Sequence, residues 1–289
     1  MNLILLFPSD YIPGTNRVRL TGRRQRHVLE VQKAKVGQKL IIGIENGLIG
    51  DGIVVKSDDS CIEMEASFSF NPPPKLPVTL AVALMRPIVL KRVLQTVASM
   101  GVPEIMIFHS KQVEKSFWQS SALLEDAVRE QLILGLEQAK DTVLPKVSFH
   151  KRFKPFVEDV LPRILGQGKA KGVVADPSGE PVSTLKTQDT RHRTQEKVSR
   201  LYPSLPKGAC RPEGEGIAGL HPPLNGEGMG GGNACVLCPV SCVLVVGPEG
   251  GFIPYEIEKF REAGCHIVSM GERILRVETA VTALLAKLF

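Results

Sequence analysis

Hydrophobic and polar positions change period several times along the 289 residues, and the changes divide the chain. Met1 to Pro8 reads as a strand. Gln38 to Ile44 and Gly52 to Lys56 are apolar runs bounded by glycine, and Cys61-Ile62-Glu63-Met64-Glu65-Ala66 alternates between two faces as a half-buried strand does. These elements predict a small β-barrel over residues 1–72. Asn71-Pro72-Pro73-Pro74-Lys75-Leu76-Pro77 then predicts a stiff linker, with its core at 73–77, because consecutive prolines favour an extended polyproline conformation. Over 78–289 strands alternate with helices. Val78 to Leu84 is a strand, and Val89 to Met100 a helix with Leu90, Val93, Leu94 and Val97 on one face. Glu104 to Phe108 is the next strand, a long helix runs from about Ala122 to Lys140, and further strands lie near Val147 and at Gly172 to Ala175. This alternation predicts an α/β domain with a mostly parallel sheet and helices on both faces.

Two segments near the C-terminus carry the candidate chemistry. Val243 to Val246 is a short apolar run of the kind that forms a buried parallel strand, and it ends abruptly in Gly247-Pro248-Glu249-Gly250-Gly251-Phe252. Gly250 and Gly251 can adopt backbone angles closed to other residues and place no side chain between the main chain and a ligand. Pro254 suits the first turn of a following helix. The second segment repeats the arrangement: Cys265 to Ser269 is a strand, Met270-Gly271 breaks it, and Val277 to Phe289 is a helix with Ala280, Val281, Leu284, Leu285 and Leu288 on its apolar face. Two such turns at the carboxyl ends of strands form the usual crevice of an open α/β sheet. Taken alone, Gly250-Gly251 fits either a ligand-facing turn or a plain strand-to-helix connection. No phosphate-loop pattern is present, and Glu249 would repel a phosphate.

Between about 187 and 240 the chain turns polar, then glycine-rich, with no periodicity, and reads as a disordered insertion. Cys210, Cys235, Cys238 and Cys242 fall in or beside it. The Cys235-x-x-Cys238 spacing hints at zinc, but a structural site needs four ligands, and the flanking chain offers only Cys210 or the distant His192 and His221. The expectation is therefore free thiols and no metal. Cys61 and Cys265 read as small core residues.

Composition adds a partner class. No run approaches the ~18 apolar residues of a membrane span, and the N-terminus lacks the basic region of a signal peptide; a cytoplasmic location with no membrane contact follows as the expectation. The net charge is +6, and between residues 1 and 40 eight cations face only Asp10 and Glu30. Arg17, Arg19, Arg23, Arg24 and Arg26 are candidate contacts to an anionic partner, with a solvated face as the alternative.

The sequences Gly247-Pro248-Glu249-Gly250-Gly251-Phe252 and Arg273-Ile274-Leu275-Arg276-Val277-Glu278-Thr279-Ala280, in that order, resemble the RsmE group of SPOUT RNA methyltransferases, which methylate N3 of a specific uridine in 16S ribosomal RNA. Weaker similarities at His27-Val28-Leu29, Gly135-Leu136-Glu137-Gln138-Ala139 and Asp176-Pro177-Ser178-Gly179 extend it over most of the chain. The resemblance implies a SPOUT domain whose C-terminal trefoil knot holds S-adenosyl-L-methionine, preceded by a PUA-like β-barrel that grips RNA. It also implies a homodimer acting on 16S rRNA within the small ribosomal subunit.

On this resemblance Gly247, Pro248, Glu249, Gly250, Gly251, Met270, Gly271, Ile274, Leu275, Arg276 and Thr279 are the candidate cofactor-binding residues, and Lys111 joins the RNA-binding arginines. Arg276 and Glu278 are the candidate catalytic residues. A uracil N3 proton is lost only well above neutral pH, so the site must stabilise the developing negative charge, which a guanidinium can do without losing its own. Helix capping is the structural alternative for Glu278, and bracing of the turn for Glu249. The segment Ser110-Lys111-Gln112-Val113-Glu114-Lys115-Ser116 departs from the family in carrying Gln112 where an arginine is common. Two other readings remain open: a SPOUT methyltransferase for another rRNA or tRNA base, and a non-catalytic RNA-binding or ribosome-assembly protein.

Overall fold

A computed structural model describes residues 2–58, 60–168, 170–184 and 241–289. The expected insertion at 187–240, with Cys210, Cys235 and Cys238, lies outside the described residues.

The N-terminal part forms a five-stranded sheet in the order β1-β3-β4-β5-β2, made of Ile4–Leu6 (β1), Arg17–Leu20 (β2), Lys39–Ile44 (β3), Ile49–Ser57 (β4) and Ile62–Phe70 (β5). The pairings are antiparallel except β1 with β3. Alternation decides which side chains enter its core. In β2, Val18 and Leu20 are buried while Arg17 and Arg19 point out. Between β2 and β3 the chain forms α1 (Gly22–Glu30), which sequence periodicity missed because only Gln25 and Val28 of its nine residues are buried.

The second sheet has the order β11-β9-β10-β6-β7-β8, and all its pairings are parallel. Its strands are Val78–Ala83 (β6), Glu104–Phe108 (β7), Lys146–His150 (β8), Ala170–Pro181 (β9), Ser241–Val246 (β10) and Cys265–Ser269 (β11). Successive residues of β10 from Cys242 to Val246 are all buried, as in a central strand covered on both faces. Cys242 is therefore a strand residue, paired with Val78 and Lys171, and not part of the insertion. Helices α2 (Pro87–Ser99) and α3 (Glu125–Ala139) pack closely because Gly135 has no side chain: a Cβ there would lie 2.3 Å from the Gln95 carbonyl oxygen. The C-terminal helix Val277–Leu288 packs on α2. Elsewhere the segment Phe153–Leu165, an irregular helix interrupted by Pro155 and Pro162, meets the helix Pro254–Glu262 around stacked Phe108 and Phe156, with Phe252 and Phe260 alongside.

The two sheets are fastened at the β3–β4 turn. Asn46 takes a left-handed conformation, φ 56°, its amide donates to the Thr142 carbonyl, and its side chain accepts from the Leu144 amide at 2.9 Å. Arg129 of α3 pairs with Glu45 at 2.6 Å, and Lys75 pairs with the buried Asp141 at 2.7 Å.

Candidate active site

The carboxyl ends of β10 and β11 and the break within β9 open on one cavity of about 600 Å³. Each strand contributes a turn whose residues could not be regular. β9 stays in register with β11 to Val174, then resumes at Glu180; the intervening stretch loops out, held by Asp176 accepting from the Ser178 amide at 2.9 Å, and Asp176 and Pro177 reach the cavity. After β10 the Gly251 amide donates to the Pro248 carbonyl at 2.9 Å, with Gly251 at φ 72°. Phe252 folds back so that its ring lies 3.2 Å from where a Gly247 side chain would begin, a tight approach that any larger residue would have to push aside. Glu249 Oε1 accepts from the Arg86 amide at 3.3 Å and so braces this turn against the start of α2. After β11 the Gly271 amide donates to Ser269 Oγ at 3.1 Å, with Gly271 at φ 112°, a conformation that L side chains rarely adopt.

Of the cofactor-binding candidates, Gly247, Pro248, Glu249, Gly250, Gly251, Met270, Gly271, Ile274, Leu275 and Arg276 all line this cavity. Thr279 does not. It faces a shallower groove beside Arg92, Gln95, Thr96 and Thr282, because consecutive helical residues are about 100° apart and the cavity side is taken by Arg276, Val277 and Ala280. Glu278 borders both spaces and lies 4.0 Å from Arg92, a loose pair with Arg92 largely in solvent. Sequence reasoning missed Arg86, Arg92 and Arg273, which with Arg276 make four arginines in the cavity lining against Asp176, Glu249 and Glu278. The basic cluster Arg86, Lys91, Arg92 at the start of α2 was the signal available. Among the described residues the Arg276 guanidinium has no ion-pair partner; its carbonyl accepts the Ala280 amide as the helix begins.

The RNA-binding candidates separate into two kinds. Arg17 and Arg26 are exposed cations. Arg19 pairs with Glu63 at 2.8 Å and Arg23 with Glu137 at 3.0 Å. Arg24 is committed internally: it makes two bonds to Asp10 at 2.6 and 2.8 Å, another to the Leu5 carbonyl, and its guanidinium lies 4.6 Å from the Phe7 ring centre. The Lys111 side chain is exposed, on a loop whose Gln112 touches the glycine turn: Gln112 Cβ is 3.1 Å from the position a Gly250 Cβ would occupy. Nearby, burial holds the His109 imidazole below its ordinary pKa, with Lys115 adding to the effect and Glu256 opposing it. Its Nδ1 accepts from Trp118 Nε1 at 3.0 Å, which requires the neutral ring.

Cys61, Cys242 and Cys265 are buried free thiols. Among the described residues no group of three or more His, Cys, Asp or Glu is placed to hold a metal ion, and no helix is long and apolar enough to cross a membrane.

Known proteins resemble this chain in sequence and in fold. Ribosomal RNA small subunit methyltransferase E of Treponema pallidum is 25% identical over 177 residues, covering 61% of this chain and 66% of the relative. Ribosomal RNA small subunit methyltransferase E 1 of Borreliella burgdorferi is 28% identical over 158 residues, covering 53% of this chain and 63% of the relative. The chain thus spans just under two thirds of these relatives' own length. A crystal structure of ribosomal RNA small subunit methyltransferase E from Neisseria gonorrhoeae bound to S-adenosyl methionine shares the fold, with TM-score 0.65 at 17% identity over 99% of this chain and 96% of that one. The family model described as RNA methyltransferase domain matches residues 72–199 and 235–288, and the chain belongs to that family.

Proposed function

We propose that the protein methylates N3 of a specific uridine in 16S rRNA of the small ribosomal subunit, using S-adenosyl-L-methionine. The observation that carries this reading is the meeting of the Gly247–Gly251 and Met270–Arg276 turns in one cavity lined by backbone and rimmed by arginines. The residues present fit the cofactor. Left-handed Gly251 and Gly271 leave main-chain groups uncovered, and Val246, Val268, Leu275 and Ala280 supply apolar wall for a purine. Glu249, already bonded to the Arg86 amide, fixes the first turn, and the carboxylates of Asp176 and Glu278 are available to a sulfonium or an amino group. The bound cofactor supplies the methyl group.

The chain's own task is to orient the uracil and stabilise the charge that develops when N3 loses its proton. Arg276 suits that task, an exposed guanidinium at the cavity rim with no ion-pair partner among the described residues, able to donate to a uracil carbonyl oxygen. Glu278 is its catalytic companion or the cap of the last helix; its loose contact with Arg92 favours a role in setting the groove.

The wider reading follows the same family. Residues 1–72 act as a PUA-like barrel that grips RNA through Arg17, Arg19, Arg23 and Arg26, with Lys111 contributing from the second domain. Arg24 serves the barrel's own packing. Residues 73–77 act as the linker, and 78–289 as a SPOUT domain whose last strands thread a trefoil knot, supported by the placement of β9 between β10 and β11. The protein works as a homodimer in the cytoplasm, where ribosomal subunits are modified.

The test is methyl transfer from labelled S-adenosyl-L-methionine to small subunits purified from cells lacking the endogenous enzyme, with the product nucleoside identified by mass spectrometry. The expected product is 3-methyluridine. A different methylated base would move the assignment to another SPOUT activity. No transfer by folded protein that still binds the subunits would leave an RNA-binding protein.

A further inference from the structure

Glu256 is 2% exposed and lies outside the cavity, yet both oxygens of its carboxylate accept hydrogen bonds. Oε2 accepts from the Ile253 amide at 3.1 Å, the ordinary cap of the helix it begins. The other two bonds serve a distant part of the chain: Oε2 accepts from Ser110 Oγ at 3.1 Å, and Oε1 accepts from the Lys111 amide at 2.8 Å. A cap needs neither. Ser110 is wholly buried and its carbonyl accepts the Val113 amide at 3.0 Å, closing a tight turn. Within that turn Gln112 rests against Gly250 of the cavity wall, and the Lys111 side chain is left in solvent. One buried carboxylate therefore joins the glycine turn, through the helix that follows it, to a loop that carries exposed cations at Lys111 and Lys115.

We propose that Glu256 is a positioning residue that clamps the Ser110–Val113 loop onto the glycine turn and so fixes where Lys111 meets the RNA beside the methyl-transfer site. The inference rests on the function proposed above. Removing the carboxylate leaves the Ser110 hydroxyl and the Lys111 amide without their acceptor; the loop gains solvation only by leaving the glycine turn. The cofactor cavity keeps its own bonds, Gly251 to Pro248 and Gly271 to Ser269, because Glu256 contributes to neither. The consequence is a split: RNA binding weakens while cofactor binding persists.

The experiment compares the full chain with Ser110→Ala and Glu256→Gln at a temperature where all three are folded by circular dichroism. It measures Kd for S-adenosyl-L-methionine by calorimetry and Kd for purified small subunits by filter retention. Glu256→Gln retains one acceptor oxygen, so the Lys111 and Ile253 amides compete for it, while the Ser110 hydroxyl is left to accept from the new NH2 group. It is expected to weaken subunit binding about 10-fold, with cofactor Kd changed by less than about 3-fold. Ser110→Ala leaves the helix cap intact and should give the same split at about 3-fold, which keeps the test open if Glu256→Gln does not fold. Unchanged subunit binding in both variants overturns the proposal. So does a parallel loss of cofactor and subunit affinity, which assigns Glu256 to holding the fold together. Failure of the wild-type chain to bind S-adenosyl-L-methionine overturns the proposed function instead, and the subunit arm then still reads the clamp by itself.

Discussion

Arg23 of α1 donates Nη2 to Glu137 Oε2 of α3 at 3.0 Å, so a half-exposed cation of the N-terminal part pairs with a buried carboxylate of the C-terminal part. The Glu137 carbonyl also accepts the Asn2 and Leu3 amides at 3.0 Å each, pinning β1 to the same helix. Oε1 of this carboxylate has no hydrogen-bond partner among the described residues.

Burial raises the Glu137 carboxyl above its ordinary pKa, with Arg23 acting against the shift. A carboxyl raised in the folded state binds its proton there more tightly than in the unfolded chain. Its contribution to stability is therefore fully present below the ordinary glutamate pKa and is lost as pH rises through the raised value. Urea denaturation of the wild type and Glu137→Gln across that window should show the wild type losing stability relative to the variant as pH rises. Parallel curves would sink the assignment of that slope to Glu137.

Strongly periodic elements were legible in the sequence. Glu104–Phe108 and Cys265–Ser269 lie where the apolar runs place them; in the first, four successive buried residues leave almost no polar position to confuse the pattern, and in the second the flanking Gly264 and Gly271 mark its limits. The segment Phe153–Leu165 was not legible: Pro155 and Pro162 argue against a helix, and the chain accommodates them by an irregular turn between them. The site divides likewise. Glycine turns are short-range features, so Gly247 to Gly251 could be read directly. Arg86 and Arg92 line the cavity only because β6 lies next to β10, a neighbour relation that no local pattern encodes. Thr279, adjacent to Glu278 in the motif, falls in the neighbouring groove because adjacency in sequence does not survive the rotation between successive helical residues.

Gly271 offers a test of the backbone's role in the cavity. At φ 112° an alanine is strained whatever space surrounds it, and nothing lies within 4 Å of its Cβ position to compensate. Gly271→Ala should cost about 1–3 kcal/mol of stability or force the turn to relax. Calorimetric titration should show S-adenosyl-L-methionine binding weakened at least about 10-fold. Wild-type affinity in this variant would mean that the turn does not hold the ligand.

The thiols of Cys242 and Cys265 flank β9, and burial pushes them up to about 11 and about 12. Both remain protonated at pH 8, where the thiolate is the reactive form. Iodoacetamide followed by peptide mapping should leave these two unmodified in the native protein and alkylate both in urea. Rapid native labelling of Cys265 would show that β11 opens from the sheet edge.

Arg276 is the sharpest test of chemistry against structure. Its carbonyl, not its side chain, starts the C-terminal helix by accepting the Ala280 amide at 2.8 Å, so Arg276→Ala keeps that bond. Stability should stay within about 0.5 kcal/mol, as for an exposed side chain with no partner to lose. If the guanidinium stabilises charge on the uracil, single-turnover methyl transfer should fall by at least about 10²-fold, on the order of 2.7 kcal/mol of barrier. Arg276→Lys separates charge from geometry: the ammonium retains the charge without the planar fork, and its rate should lie between the two. An undiminished rate in Arg276→Ala, with the protein folded and the cofactor bound, would remove Arg276 from the reaction and leave the other three arginines of the cavity lining, Arg86, Arg92 and Arg273, as the groups to examine.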